Sequence, residues 1–235
     1  MTNLSDLFPA GAGKQVSFVA DGTLSNGQAV ALKTDGTVEA VRGGSNTAGS
    51  DAQFESGAPY SVATAYDSTL GKIVVAYSDT GNNFYGTVAI GTVSGTSISF
   101  GTPVVFNADT TDFLAVSYDV NAGKAVISYQ DGGASNHGYA IVGTVSGTSI
   151  SFGTEVVFNS ATTQFNVSSY DANAQKVLLS YHGTSSYGYS IVGTVSGTSI
   201  SFGTAVVFNS AYTSNPASVY DSNAQKVVIG YGNSG

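Results

Sequence analysis

Twelve residues, Gly91-Thr-Val-Ser-Gly-Thr-Ser-Ile-Ser-Phe-Gly-Thr102, recur letter for letter at 143–154 and at 193–204. A longer unit surrounds them, and its landmarks hold register along the chain. Tyr-Asp pairs begin at 66, 118, 170 and 220, spacings of 52, 52 and 50 residues. A Lys stands five residues after each Asp, at 72, 124, 176 and 226, and a Tyr closes each following run, at 77, 129, 181 and 231. A Phe precedes each Tyr-Asp by twelve residues, at 54, 106, 158 and 208. A fixed period of this size marks a repeat architecture, in which each unit buries its apolar surface against the next. The expected units are 51–106, 107–158, 159–208 and a partial 209–235, about three and a half in all.

Each unit holds four strand-like runs, taken in the first unit as a (Tyr60–Tyr66), b (Lys72–Tyr77), c (Thr87–Val93) and d (Ser97–Phe106). Short connections make neighbours antiparallel. Run b is apolar on both faces (Ile73, Val74, Val75, Ala76), as in a strand buried between two sheets. Run d carries Pro103, replaced by Glu155 and Ala205 in later copies, which predicts an outer, edge-like strand. The fold class is therefore all-β: a small N-terminal β module, then four-stranded antiparallel repeats forming propeller-like blades. Thirty Gly, fourteen Tyr and only four Pro suit short strands with many turns.

Residues 1–44 stand outside the period and form an N-terminal β anchoring module. Lys14–Ala20 alternates as a half-buried strand, and Ala29–Leu32 with Thr37–Val41 flank Asp35-Gly36 as a hairpin. So small a module buries little by itself and calls for docking on its copies or on a larger assembly. Residues 45–50 form a linker, and 51–235 the tandem array.

The net charge of −8 speaks against a nucleic-acid partner, which needs a basic stripe. The acidity serves solubility, although an acidic surface also holds divalent cations. With no Cys there are no disulfides, thiolate metal sites or thiol nucleophiles. No run has the length of a signal-peptide core or a membrane span, so neither a secretion route nor a membrane partner is expected.

Comparison of the copies separates two edges of the repeat. The a–b turns (67–72, 119–124, 171–176, 221–226) and the Ser-Gly-Thr c–d turns are nearly constant. The b–c loops differ in sequence and length, as do the d–a loops 107–112, 159–164 and 209–214 in sequence. Loops on a rigid scaffold are where recognition sits. The candidate binding residues on this rim are Asn82, Asn83, Phe84, Tyr85, Asp112, Asp131, Asn136, His137, His182, Tyr187 and Tyr212. Rings stack on apolar faces and amides both donate and accept, which suits a glycan or a protein surface. The bland alternative is drift in solvated loops.

Nothing in the sequence reads as catalysis. The repeated Asp…Lys of the a–b turns reads as turn structure, with Asp bonding nearby backbone N–H groups. His137 and His182 lack fixed carboxylate neighbours, so no metal and no cofactor is expected. No glycosidase carboxylate pair, phosphate loop or nucleophile elbow stands out.

The segment Ile-Val-Gly-Thr-Val-Ser-Gly-Thr-Ser-Ile-Ser-Phe-Gly-Thr-x-Val-Val-Phe-Asn (141–159) resembles repeat units of bacteriophage tail-fibre and other virion proteins, particularly of marine cyanophages. Leu7–Val41 resembles N-terminal modules of the same structural proteins. The resemblance implies a virion fibre or receptor-binding protein on the tail or capsid surface, assembled in the host cytoplasm. It implies attachment to other virion proteins through 1–44, with the repeats facing a host glycan or protein. A homo-oligomer is expected, trimers being frequent among fibres. The rivals are a non-binding spacer or capsid-decoration protein, a secreted lectin-like propeller, and a polysaccharide hydrolase using Asp112 or Asp131.

Overall fold

A computed structural model describes residues 30–35, 37–40, 49 and 51–233. The chain divides into two compact units, Met1–Ala48 and Gly49–Gly235.

In the first unit, β1 (Val30–Leu32) and β2 (Val38–Ala40) pair antiparallel, with Leu32 opposite Val38. The Asp35 carboxylate accepts from the Thr37 amide at 3.0 Å and its hydroxyl at 2.7 Å, while Lys33 N–H donates to the Thr37 carbonyl at 2.8 Å. That is the hairpin expected around residue 35; the strand expected over 14–20 lies outside the described residues.

The second unit is all-β. Its first sheet runs β3 (Val62–Asp67), β4 (Lys72–Asp79) and β5 (Tyr85–Ser94), with β6 (Ser97–Phe100) and the start of β7 (Val104–Asp119) side by side on the far edge of β5. The second repeats the pattern with the rest of β7, β8 (Lys124–Asp131), β9 (His137–Ser146), β10 (Ser149–Phe152) and β11 (Val156–Thr162). The third comprises β12 (Gln164–Asp171), β13 (Lys176–His182), β14 (Gly188–Ser196), β15 (Ser199–Phe202) and β16 (Val206–Asn209). The fourth holds only β17 (Thr213–Asp221) and β18 (Lys226–Asn233). Every pairing is antiparallel, and the described residues close neither a barrel nor a ring.

Two expectations change. Run d is broken at Gly101-Thr-Pro103, so Pro103, Glu155 and Ala205 sit in a gap between two short strands. They tolerate Pro because no ladder bond is required there at all. The connection 107–112 is not a loop. It lies inside β7, which serves as outer strand of one sheet up to Thr110 and first strand of the next from Thr111. Between β11 and β12 only Thr163 separates the two strands.

Alternation places the middle sheet's side chains in two cores. Ala125, Ile127 and Ile141 face Val74, Ala76, Val88 and Ile90 of the first sheet. Val126, Ala140 and Val142 face Val177, Leu179 and Ile191 of the third. Each Val, Leu or Ile among them contributes about 1.5–3 kcal/mol when taken from water, and each Ala less, so neighbouring sheets are mutually stabilising. The recurring Phe wedges between sheets: Phe106 meets the next sheet's Tyr129 at 5.1 Å, and Phe158 meets Tyr181 at 5.2 Å.

The a–b turns are built as expected. Asp67 Oδ1 accepts from the amides of Thr69 (2.9 Å) and Leu70 (3.0 Å), and Asp171 and Asp221 do the same in their turns. The lysine serves the neighbouring strand instead, Lys72 Nζ reaching Thr92 Oγ1 at 2.8 Å and Lys176 reaching Thr194 at 2.9 Å.

Candidate binding rim

The rim begins from a short sequence pattern, Asn-x-x-x-Thr, at 107/111, 159/163 and 209/213. In each copy the Asn Nδ2 donates to the Thr hydroxyl, at 3.0, 2.7 and 2.9 Å. The hydroxyl in turn donates to the carbonyl two residues before it, and all three threonines are buried. This bond set pins the corner at which the chain leaves one sheet for the next. Gly86, Gly138 and Gly188 let it come close: a Cβ there would lie 2.5–2.6 Å from the ring of Phe106, Phe158 or Phe208 and 2.8 Å from the Thr hydroxyl.

Two residues beyond each Thr the strand bulges. Phe113, Phe165 and Asn215 hold φ of 48°, 50° and 45°, and the ladder register shifts around them. A left-handed φ at a bulky residue is an outlier. The bulge turns the two Phe rings to meet edge-on at 5.2 Å across the second and third sheets. Phe165 continues to His182 at 5.8 Å, and His182 to Tyr212 at 5.3 Å. At the first sheet, Tyr60 meets Phe84 at 6.2 Å, and Ser61 Oγ accepts from the Leu114 amide at 3.3 Å.

The b–c loops carry the same strain in different sequences. Asn83 and Phe84 (φ 53° and 61°), Ser135 and Asn136 (59° and 61°), and Ser185 and Ser186 (59° and 63°) are successive left-handed residues. None is Gly, and each costs on the order of 1 kcal/mol relative to an unstrained position. The loops are tied to the corners, Thr111 N–H donating to the Phe84 carbonyl at 2.9 Å and Thr163 N–H to that of Asn136 at 3.0 Å.

The sites expected from sequence divide into two groups. Asn83, Phe84, Asn136 and Tyr212 are exposed, and Asn82, Tyr85, His137 and Tyr187 are half-buried at the loop ends. Asp131 and His182 are buried, and both side chains bond backbone groups. Asp131 Oδ1 accepts from Gly133 N–H at 3.0 Å within its own loop. His182 Nδ1 lies 2.7 Å from the Thr213 carbonyl, which only accepts, so Nδ1 donates. Gln130, at the matching position, donates to the Thr163 carbonyl at 2.6 Å. Asp112 is half-buried, and burial lifts its carboxyl above the ordinary value despite a 2.6 Å bond from Phe113 N–H.

Phe113, Phe165 and Tyr60 are the rim residues that sequence reasoning missed. Phe113 and Phe165 share one repeat position, five residues before Tyr118 and Tyr170, and that shared position was the available signal. A shallow depression lies where Phe165 meets the buried His182, and it is lined by that His with Thr162, Thr184, Ser185 and Ser186. Rings with adjacent hydroxyls can stack on an apolar face and bond a hydroxyl-bearing ligand. Among the described residues no group of three or more His, Asp or Glu is placed to hold a metal ion. No described helix is long and apolar enough to cross a membrane. Neither a known protein family nor a curated protein matches the chain.

Proposed function

We propose that the protein is a phage virion fibre or receptor-binding protein whose repeats are propeller-like blades displaying one adhesive rim. In this reading residues 1–44 attach to other virion proteins, and the rim meets a host-surface glycan or protein. The observation that carries it is the placement of strain. Nine of the eleven non-glycine residues with positive φ, among the described residues, lie in the b–c loops and corner bulges. Strain is retained where surrounding structure over-determines it and function uses it. The blade reading draws support from the first strands of successive sheets, which lie against one another, Ser117 bonding Ser168 and Ser169 bonding Ser218 at 2.6 Å.

The test is adhesion of the labelled full chain to cyanobacterial cells and to their extracted surface polysaccharide. Binding that is lost in Phe84→Ala and Tyr212→Ala, both exposed and outside the cores, is the expected result. Binding that ignores both substitutions, or virions that adsorb equally without the repeats, would leave a spacer or decoration protein. Release of reducing ends from the polysaccharide, abolished by Asp112→Asn, would instead establish the hydrolase.

A further inference from the structure

The interface between the first and second sheets and the interface between the second and third use matching positions with different chemistry. In the first interface Ala76, Leu114 and Val116 belong to one buried apolar cluster, and Ala65 packs against it. One repeat later, 52 residues on, the positions of Ala65, Ala76, Leu114 and Val116 hold Ser117, Ser128, Asn166 and Ser168. Four apolar side chains have become four polar ones in a place that stays inside the protein.

Two of the four satisfy each other, Ser168 Oγ donating to Ser117 Oγ at 2.6 Å across the interface. The other two do not. Ser128 Oγ, Asn166 Nδ2 and Asn166 Oδ1 are buried, and no protein group among the described residues bonds any of them. Strand alternation turns them toward each other. Ser128 lies two residues beyond Val126, which faces the third sheet, and Asn166 two residues before Ser168, which bonds the second. Both thus enter one interface, as Ala76 and Leu114 do one interface earlier.

The packing around them is also looser. The ladder neighbours of Ser128 are Ala115 and Ala140, whereas those of Ala76 are Ala63 and Val88. Ala140 lacks the two methyl groups with which Val88 fills the first interface. In the third sheet Ser180 holds the place of Ser128, but Pro216 stands at the position of Asn166 and brings no side-chain donor or acceptor. Among the described residues, the three polar atoms therefore come together at the second interface alone.

Buried polar atoms are paired with protein or with ordered water, because leaving one unpaired is costly. A buried water makes about three hydrogen bonds. The Asn amide donates through its nitrogen and accepts at its oxygen, and a Ser hydroxyl does either. We infer that Ser128 and Asn166 form a binding site for one ordered water molecule between the second and third sheets. The site also distinguishes copies that are otherwise nearly alike. Set against the first sheet, Asn166 and Ser168 would meet Ala76 and Ala65 and lose their partners, so the polar pair fixes which sheets are neighbours.

The test is a water-selective nuclear Overhauser measurement on the full chain with its asparagine side-chain amides labelled. A cross-peak from a long-lived water to the Asn166 amide protons is expected, and Ala140→Val, which restores the methyl groups of Val88, should remove it. A second pair of variants keeps the test independent of whether Ala140→Val folds. Asn166→Leu alone strands the Ser128 hydroxyl, whereas Ser128→Ala with Asn166→Leu reproduces the first interface. The double variant should melt about 2–4 °C or more above the single one, the effect of removing one unpaired buried hydroxyl. A missing cross-peak in the parent, or one that survives in folded Ala140→Val, would overturn the inference. So would a double variant that melts no higher than Asn166→Leu.

Discussion

At the edge made by the a–b and c–d turns, the chain reverses on Gly71 and Gly123, and on Gly95, Gly147 and Gly197, all with φ of 60–65°. Gln175 and Gln225 stand in for glycine in the last two a–b turns, at φ 55°. At the rim the left-handed positions are Asn, Ser and Phe throughout. Glycine reaches this conformation without the Cβ clash, so the turn edge is built at low cost and copied with few changes. The rim keeps strained side chains, and it holds them with the buried Asn–Thr corner and the Gln130 and His182 bonds. One edge reaches its left-handed turns largely through glycine, and the other holds strained side chains in a bonded framework.

The largest expected effect comes from loosening the rim's foundation. In Gly138→Ala the new methyl would lie 2.6 Å from Phe158 Cζ and 2.8 Å from Thr163 Oγ1. The loss should be roughly 1–3 kcal/mol or more, read as a lower thermal midpoint. Hydrogen exchange should rise at 159–165 ahead of the a–b turns. A change within about 0.5 kcal/mol, the range of an unremarkable surface site, would show the corner to be more compliant than its contacts imply.

Next in size is alkaline loss of stability. Burial raises the phenol of Tyr181 to about 12. Burial and then Glu155 raise Tyr129 further, its hydroxyl donating to Glu155 at 2.5 Å, and burial and then Glu55 raise Tyr77. Below pH 10 these groups are neutral folded and unfolded, and their contribution is fully present. Above it the unfolded chain ionises first, so stability falls from pH 10 through about 12 for Tyr181 and higher for the others. Tyr129→Phe should flatten that decline while costing about 0.5–1.5 kcal/mol at neutral pH for the lost bond. An unaltered pH profile in this variant would assign the alkaline transition elsewhere.

Much of this array is legible in the sequence because its determinants are local. Asp67, Asp171 and Asp221 accept from amides two and three residues on, so the turn travels with its own letters. The double-faced burial of β4 follows from its apolar run over Ile73–Tyr77. The corner is different. Residues 107–112 look like loop because Asn, Asp and Thr favour turns, yet the adjacent sheets recruit them into one long strand. The bulge at Phe113 is invisible to propensity, since no local rule places Phe at positive φ; neighbouring sheets impose it. His182 and Asp131 look like ligands for the same reason. Polar letters in variable loops suggest exposure, whereas His182 bonds the distant Thr213 carbonyl and Asp131 bonds the amide of Gly133 in its own loop.

The smallest expected effect sets the two edges directly against each other. Gly147 has φ 63° with nothing near a would-be Cβ, so Gly147→Ala tests backbone strain alone and should cost about 1 kcal/mol. Ser135→Gly makes the reverse exchange at the rim, where φ is 59° and the side chain is exposed. Relief of strain should raise stability, but glycine's larger unfolded-state entropy offsets part of it, leaving a gain of a few tenths to about 1 kcal/mol. A matched pair of thermal melts reads both. If Ser135→Gly instead destabilises as much as Gly147→Ala, the serine side chain supports its own loop. The absence of glycine from the left-handed rim positions would then reflect folding rather than the binding proposed for the rim.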